Sequence, residues 1–422
     1  MSTVAVGVEP GRGSLRLLAD RTVGPYVVGK LLSATGVWMH NITAAIVVFQ
    51  LTGSAILVGA VSVAQFAPQI FLTPWSGARA DRADRRRQLL AGRLLTGAGS
   101  GGLVVWMWTV GLSGGAGAAA VIVAAFVIGV GFSVGGPAME SLLPTLVRPG
   151  ELAAAVALNT APVTIARAAG PALGALLVAV SGPELAFGVA ALCQVAFFAI
   201  VALCLDDAGR VAAVDSSFRA GLRHVRSDRR LTALLLGICV VGVGADPLIT
   251  LTPSLAASLG AGDELAGALA STFGLGMALA FPLLGPCRRR FGLHRLAVGG
   301  QLVLAAGLAG LAASSTAPLA LVSVGVAGIG MTASMTGLTT LIQQRTPDEL
   351  RGRVMSLWAV GFLGSRPLAA AVNGTLAEFT SLATALLTTV GILLLGAWAV
   401  GASRSAREPA HAGHGPRPAG AA

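Results

Sequence analysis

Three charged residues stand deep inside long apolar segments of this 422-residue chain. Arg167 and Arg366 lie about 13 residues, or about 20 Å, beyond the expected starts of their helices. Asp246 precedes Pro247 in a third apolar run. A charged side chain at such a depth in a membrane normally faces a cavity or a partner. These residue types predict two kinds of chemistry: arginine recognises an anion or pairs with an acid, and a buried carboxyl group can load and release a proton.

These residue types also leave structural alternatives open. Each arginine would be stable if its guanidinium group bound carbonyl groups of neighbouring helices without touching a ligand. Asp246 is the strongest candidate for carrying a proton, because it is the acidic residue nearest the middle of an apolar run. Glu140 is the next candidate, although it stands about three residues from the end of its run and is expected to anchor near the following loop.

Polar side chains in the first two apolar runs are candidates for lining a cavity. These are Trp38, His40 and Asn41 in the first run, and Gln65 and Gln69 in the second. A polar side chain inside a membrane helix also serves to bond one helix to another, and that alternative applies to each of these residues.

Composition and periodicity place these residues on helices that cross a membrane. Hydrophobic residues make up 55% of the chain and charged residues 11%, whereas a soluble protein carries about 25% charged residues. Apolar runs of about 20 residues recur twelve times, six on either side of a polar middle segment. The sequence therefore predicts an all-α polytopic membrane protein with twelve transmembrane helices. Its predicted parts are an N-terminal lead at 1–23, a six-helix bundle at 24–205, a central loop at 206–230, a second six-helix bundle at 231–402 and a disordered tail at 403–422.

The distribution of charge predicts how these helices are oriented. The net charge is +11, yet the basic residues fall in short loops and form no continuous face that could follow a nucleic-acid backbone. With the N-terminus inside the cell, every Lys and Arg except Arg167 and Arg366 falls in an inner segment. Basic residues concentrate on the cytoplasmic side of membrane proteins, so both termini are predicted to be cytoplasmic in a protein of the cell membrane.

One charged loop has a specific spacing. Between the second and third apolar runs the chain reads Gly77-Ala-Arg-Ala-Asp81-Arg82-Ala-Asp84-Arg85-Arg86-Arg87. This G-x-x-x-D-R-x-x-R-R pattern resembles the loop between helices 2 and 3 of the major facilitator superfamily of secondary transporters, which has a glycine where Asp84 stands. Further matches are Leu51-Thr-Gly-Ser54, Arg167-Ala-Ala-Gly170-Pro171-Ala-Leu-Gly174 and Pro347-Asp-Glu-Leu-Arg351-Gly352-Arg353. Together they resemble the branch that includes the enterobactin exporter and macrolide efflux proteins.

The resemblance implies a conformational role for the charged loop. In the superfamily this loop latches the cytoplasmic side of the two halves in the outward-open state. The residues onto which that role maps are Gly77, Asp81, Arg82, Arg85 and Arg86. Gly77 is expected to allow close approach of neighbouring backbones. The alternative is that the same charges form a solvated anchor at the membrane surface.

Two further patterns concern transport itself. The spacing of the first charged loop recurs in the second half of the chain, at Gly285-Pro-Cys-Arg-Arg289-Arg290. Similar halves indicate a transporter whose substrate path lies at the interface between them. The motif in the fifth run, formed by Arg167, Gly170, Pro171 and Gly174, resembles the antiporter signature of proton-coupled exporters. A packing kink at Pro171 without a coupling role is the alternative.

The resemblance implies a secondary active transporter that exports an organic small molecule, such as a drug, a siderophore or another secondary metabolite, by alternating access coupled to protons. The alternatives are an uptake or facilitative transporter of the same fold, and a membrane receptor or scaffold that does not transport. The expected partners are the small-molecule substrate, protons and the lipid bilayer, without nucleic acid, and the protein is expected to be a monomer. With five His and no acidic cluster, the sequence predicts no enzyme, no cofactor and no metal site.

Overall fold

The computed structural model describes residues 13–82, 84–205 and 218–403 of the chain. Within these ranges the chain is built from sixteen α-helices and contains no strand, which confirms the predicted all-α class. The helices are α1 (Ser14–Leu18), α2 (Val23–Thr52), α3 (Ala55–Arg82), α4 (Arg85–Thr109), α5 (Gly114–Leu142), α6 (Leu152–Ser181), α7 (Pro183–Cys204), α8 (Phe218–Ser227), α9 (Arg229–Ala245), α10 (Pro247–Thr250), α11 (Thr252–Ser258), α12 (Asp263–Phe291), α13 (Leu293–Ala312), α14 (Ala317–Arg345), α15 (Asp348–Phe379) and α16 (Leu382–Ala402).

Twelve segments of the described chain are long and apolar enough to cross a membrane, as the sequence predicts. Six of them belong to α2–α7, and the other six to α9–α16, where α9 and α10 together form the segment Arg229–Thr250. The segment at 206–230, predicted as a loop, contains the helix α8, and its residues 206–217 lie outside the described part.

Several consecutive membrane helices are joined by short turns, so that they run antiparallel. Only Gly53 and Ser54 separate α2 from α3. Gly53 has a φ of 64°, and its amide donates to the carbonyl of Phe49 at 2.7 Å. Glycine adopts this left-handed conformation without a steric cost, which lets the helix end sharply.

The alternation of helix direction gives the bundle two different ends. Arg85, Arg289 and Arg345 lie at the end where α4 begins and α12 and α14 finish, which we call the arginine-rich end. Asp263 at the start of α12 and Glu378 near the finish of α15 lie at the opposite end, which we call the carboxylate end.

Two six-helix halves form the bundle and meet along two pairs of helices. In the first half, α2 packs against α6 and α7, and α4 packs against α5; in the second half, α13 packs against α14. The halves contact one another where α3 packs against α15 and where α6 packs against α12. These two contacts frame the space between the halves.

The seventh membrane segment is not one continuous helix, although the sequence was expected to form one. It breaks at Asp246, between α9 and α10. Pro247 has no amide hydrogen for a helical bond to the carbonyl of Val243, and the amide of Asp246 bonds to that carbonyl instead, at 3.2 Å. The break leaves Asp246 at a bend close to the Thr250 end of the membrane segment.

Asp228 connects two helices of the second half, α9 and α14, at the arginine-rich end. Its carboxylate caps α9 by accepting from the amides of Arg230 at 2.9 Å and Leu231 at 3.2 Å, and it forms an ion pair with Arg345 at the end of α14. Partial burial acts to raise the pKa of Asp228, but the bonds from Arg345 and from the two amides outweigh burial and lower it below its usual value. The carboxylate therefore remains charged at neutral pH and ties two helices together.

Candidate functional site

A cavity lies between the two halves of the bundle. Its volume is about 470 Å³, including the space at its open mouth. Its lining residues come from both halves: Trp38, Asn41, Ile42, Arg167, Pro171, Ala245, Leu248, Ile249, Ala270, Phe273, Met331 and Arg366. The wall is mostly apolar with a few polar groups, which is the usual composition of a site for an organic ligand.

Asp246 is fully buried at the helix break, directly beside the lining residue Ala245. Its Oδ2 accepts from Asn373 Nδ2 at 2.8 Å, and its Oδ1 accepts from Thr250 Oγ1 at 3.0 Å. The sequence analysis allowed a deep arginine to pair with an acid, but the hydrogen bonds to Asp246 come from an amide and a hydroxyl group. Arg366 acts on this carboxylate through its charge alone. Both hydrogen-bond partners are neutral, so Asp246 is in no ion pair among the described residues.

Arg167 enters the cavity from α6. Its guanidinium carbon lies 4.8 Å from the centre of the Trp38 ring, and its Nη1 contacts Met277 Sδ of the other half at 3.2 Å. Its Nε is buried without a hydrogen-bond partner among the described residues. A cation over an aromatic face is attracted by the ring, and the N–H donors of the guanidinium group can still bond to other groups.

Arg366 enters the same cavity from α15, in the opposite half. Its guanidinium carbon lies 4.1 Å from the centre of the Phe66 ring of α3. The side chain is 5% exposed, and its Nε has no hydrogen-bond partner within the described ranges. The two deep arginines therefore reach one cavity from different halves, and both are held by aromatic faces.

The structure divides the other predicted cavity residues into two groups. Trp38 and Asn41 line the cavity. His40 points elsewhere: its Nδ1 is 3.1 Å from Ser100 Oγ of α4. Gln65 and Gln69 are buried on α3 and are not among the lining residues. His40, Gln65 and Gln69 are therefore buried but lie outside the cavity lining.

The motif in α6 lies against α2. A Cβ atom at Gly170 would be 2.6 Å from the Cβ of Trp38, and one at Gly174 would be 3.0 Å from the carbonyl oxygen of Met39. Pro171 lines the cavity between these two contacts. The two glycines are therefore needed for the close approach of α6 to α2, which is the packing alternative. The cavity position of Pro171 is compatible with the coupling role.

The charged loop is described only in part. The side chains of Asp81 and Arg82 lie outside the described residues. Arg85 Nε donates to the carbonyl of Ala80 at 3.0 Å, and Arg86 Nη2 donates to the carbonyl of Ala202 near the end of α7 at 2.6 Å. A cation is favoured at the C-terminus of a helix, so Arg86 joins α4 to α7. The close approach expected at Gly77 is not present, because a Cβ there would meet nothing within 4 Å.

The residue that departs from the resembled loop pattern has a structural role here. Asp84 precedes α4, and its Oδ1 accepts from the amides of Arg86 at 2.9 Å and Arg87 at 3.2 Å. An aspartate at this position satisfies amides that have no partner in the first turn of a helix. The glycine of the family pattern would leave these amides to water.

An ion pair between a buried lysine and an exposed glutamate in the first half was not found from the sequence. Lys30 of α2 is 1% exposed, and its Nζ donates to Glu140 Oε1 at 2.8 Å and to Asn159 Oδ1 at 2.6 Å. Asn159 Nδ2 in turn donates to Glu140 Oε2 at 2.6 Å. A single lysine within an apolar run was the available signal. Glu140, the second candidate for carrying a proton, is thus paired away from the cavity.

Removing the carboxylate of this pair should destabilise the protein. We expect Glu140→Gln to lower the free energy of unfolding by about 1–3 kcal/mol, because Lys30 then stays buried with fewer bonds to its charge. Adding Lys30→Met removes the unpaired charge and should restore most of the loss. Thermal unfolding in detergent, followed by tryptophan fluorescence, measures the two single variants and the double variant. Additive effects of the two substitutions would show that the pair contributes nothing.

Two carboxylates join the halves at the carboxylate end. Glu378 of α15 accepts from the amide of Ala55 at 2.7 Å and from Ser54 Oγ at 3.1 Å, at the start of α3. Asp263 at the start of α12 accepts from Gln50 near the end of α2. A carboxylate at a helix N-terminus satisfies free amides and the helix dipole. These hydrogen bonds connect the two halves at the carboxylate end.

Among the described residues no group of three or more His, Cys, Asp or Glu could hold a metal ion. The four cysteines are free, and none forms a disulfide.

The fold is similar to several solved transporter structures. An autoinhibited POT family peptide transporter is 12% identical with a TM-score of 0.75, covering 92% of this chain and 98% of that chain. A D-xylose–proton symporter is 13% identical with a TM-score of 0.74, covering 90% and 97%. A bacterial homologue of the iron transporter ferroportin in an inward-facing state is 16% identical with a TM-score of 0.72, covering 93% and 100%. At this identity the likeness establishes the fold.

The outward-facing form of that ferroportin homologue is less similar. It is 18% identical with a TM-score of 0.62, covering 90% of this chain and 99% of that chain. The fold thus resembles the inward-facing form more closely. Comparison with proteins of curated function gives no match.

A family match covers nearly the whole sequence. Residues 20–412 match the family described as transmembrane secretion effector. The twelve membrane segments, the two packed halves and the cavity between them agree with that assignment. The chain therefore belongs to the transmembrane secretion effector family, and it is a multi-pass membrane transporter of the major facilitator type.

Proposed function

We propose that this protein moves an organic small molecule through the central cavity by alternating access, with protons as the coupling ion and Asp246 as the proton carrier. The observation that carries the proposal is the position of Asp246, a fully buried carboxylate with neutral partners at a helix break beside the cavity wall. Alternating access places the ligand at the interface of the two halves, where this cavity lies.

Export in exchange for protons is the first direction to consider. The α6 motif resembles the antiporter signature, which supports export. The family is described as transmembrane secretion effector, and secretion is movement out of the cell. Exchange requires the substrate and the proton to compete, so that the release of one accompanies the binding of the other. A neutral or cationic substrate that bonds to the ionised Asp246 would compete in this way.

Uptake together with protons is the second candidate, and the charge of the cavity favours it. Arg167 and Arg366 attract an anion, and protonation of Asp246 removes a negative charge that repels that anion. The proton and an anionic substrate therefore bind cooperatively, and ligands that bind cooperatively move in the same direction. The sign of the proton flux separates the two candidates.

Proton flux in vesicles tests the function and its direction together. The purified protein is reconstituted into liposomes that contain the pH-sensitive dye pyranine and whose membrane potential is held at zero. Compounds of varied charge are added outside, down their concentration gradient. Exchange for protons makes the interior more alkaline, and co-transport makes it more acidic. If compounds enter at a rate set by the protein with no change in internal pH, proton coupling is wrong; if none enters, transport is wrong.

The orientation in the membrane is part of the proposal. We place the arginine-rich end in the cytoplasm and the carboxylate end outside the cell membrane, with both termini cytoplasmic, because basic residues concentrate on the inner side. The greater similarity to the inward-facing ferroportin homologue supports this placement, since the halves are bonded to each other at the carboxylate end.

Cysteine labelling measures this orientation. In a variant without the four native cysteines, Ser113→Cys and Ser315→Cys should react with an impermeant thiol reagent in intact cells. Both serines are exposed and lie at the carboxylate end. Arg289→Cys, at the exposed arginine-rich end, should react only after the membrane is permeabilised. Labelling of the Arg289→Cys variant in intact cells would contradict the orientation.

A further inference from the structure

The central cavity carries more positive charge than its neighbours neutralise. Arg167 and Arg366 both line it, and the ion pairs among the described residues include neither of them. Each has an Nε atom that is buried without a hydrogen-bond partner in the described ranges. Buried unpaired donors on a charged group are costly, and membrane proteins retain them where a ligand or a partner satisfies them.

Asp246, the acidic residue beside the cavity, does not satisfy the free donors of these arginines. Asp246 accepts its hydrogen bonds from Asn373 and from Thr250, and neither arginine donates to it. With Asp246 ionised the region has two positive charges and one negative charge, and with Asp246 protonated it has two positive charges. In both states a ligand with one negative charge brings the site closer to neutrality, which is favoured where the dielectric constant is low.

An aromatic ring lies against each guanidinium group. The guanidinium carbon of Arg167 is 4.8 Å from the centre of the Trp38 ring, and that of Arg366 is 4.1 Å from the centre of the Phe66 ring. A ring accepts no conventional hydrogen bond from the guanidinium group, and the fixed fork of donors of that group matches the two oxygens of a carboxylate. The wall between the arginines is apolar and suits the hydrocarbon body of an organic molecule.

We propose that the cavity binds an organic anion, with a carboxylate held by Arg167 and Arg366 and an apolar body lying against Ile42, Leu248 and Phe273. This assignment of the substrate class rests on the proposed transport function and extends it. It also assigns each arginine a direct contact with the ligand rather than a structural role, and it favours co-transport with protons over exchange.

Direct binding to purified protein tests the anion. The probes are 2-naphthoate and its uncharged analogue 2-naphthamide, followed by the larger pair 1-pyrenebutyrate and 1-pyrenebutyramide, measured by calorimetry in neutral detergent. In at least one pair the wild-type protein should bind the carboxylate about 10- to 100-fold more tightly than the amide, as hydrogen bonds to a charged group require. Equal binding within both pairs, or no binding of either carboxylate, overturns the proposal.

Two variants locate the anion within the cavity. Arg167→Gln and Arg366→Gln should each weaken binding of the carboxylate by about 10- to 100-fold and leave binding of the amide nearly unchanged. Arg366→Lys should retain only part of the affinity, because an ammonium group keeps the charge but lacks the fork. Arg289→Gln is the matched control, since Arg289 is exposed at the arginine-rich end and its loss should change neither affinity. Equal weakening of carboxylate and amide in both glutamine variants would show that the arginines act only on the structure.

The comparison of the two wild-type affinities needs no variant, so a variant that fails to fold does not remove the test. Binding in detergent also requires no gradient and no transport. A protein that binds carboxylates selectively yet moves no compound in vesicles would contradict the transport proposal alone. A protein that moves neutral or cationic compounds and binds no carboxylate would contradict the anion proposal alone.

Discussion

Asp246→Asn should abolish gradient-driven accumulation of substrate while leaving downhill exchange in place. Asparagine has the same shape as aspartate and can still bond to Asn373 and Thr250, so the variant should fold and insert normally. It cannot take up a proton between pH 5 and 9. With one proton per substrate, each pH unit across the membrane is worth about 1.4 kcal/mol, or about tenfold accumulation, and this factor should fall to one in the variant.

The measurement uses a compound identified by the pyranine assay, in vesicles with a pH difference of one unit. Accumulation driven by that gradient is compared with exchange of labelled for unlabelled compound at equal pH. Glu264→Gln is a suitable control, because it also removes a carboxylate from α12 in the second half but at an exposed position. Full gradient-driven accumulation in Asp246→Asn would show that the proton is carried elsewhere.

Gly59→Leu should shift the protein away from the conformation described here. Gly59 of α3 lies against α15, and a Cβ atom at this position would be 2.7 Å from the carbonyl oxygen of Ala370. The clash is with backbone and cannot be relieved by rotating a side chain. Overpacking of this kind costs the described conformation about 1–3 kcal/mol. The ratio of this conformation to one in which the halves are separated at the carboxylate end should therefore change by about 5- to 150-fold in favour of the separated conformation.

Distances between spin labels measure this shift. Labels at Ser113→Cys and Ser315→Cys stand on opposite halves at the carboxylate end, in a background without the native cysteines. Pulsed electron resonance should show a larger population at long distance in Gly59→Leu than in the wild-type protein. Gly102→Leu is the matched control, since Gly102 is an exposed helical glycine whose Cβ would meet nothing within 4 Å. An unchanged distance distribution in folded Gly59→Leu would contradict the prediction.

The sequence by itself determined the class of the protein and the position of its deep charges along the chain. Twelve apolar runs of sufficient length predict twelve membrane helices, because only internally bonded helices or closed barrels satisfy the backbone in lipid. Arg167, Arg366 and Asp246 were recognisable for the same reason, since a charge is rarely retained in such a run without a role. The pairing of these charges was not determined: Asp246 bonds to Asn373, which lies 127 residues later in the chain.

Only the tertiary structure decided which face of each helix meets the cavity. Leu393 is buried and Leu395 of the same helix is 68% exposed, so the face towards lipid is as apolar as the face towards protein. Amphipathic periodicity therefore does not report the rotation of a membrane helix about its axis. Successive residues on a helix are rotated by about 100°. Trp38 and Asn41 consequently line the cavity while His40, between them, bonds to Ser100, and close packing against neighbouring helices, as at Gly170 against Trp38, sets that rotation.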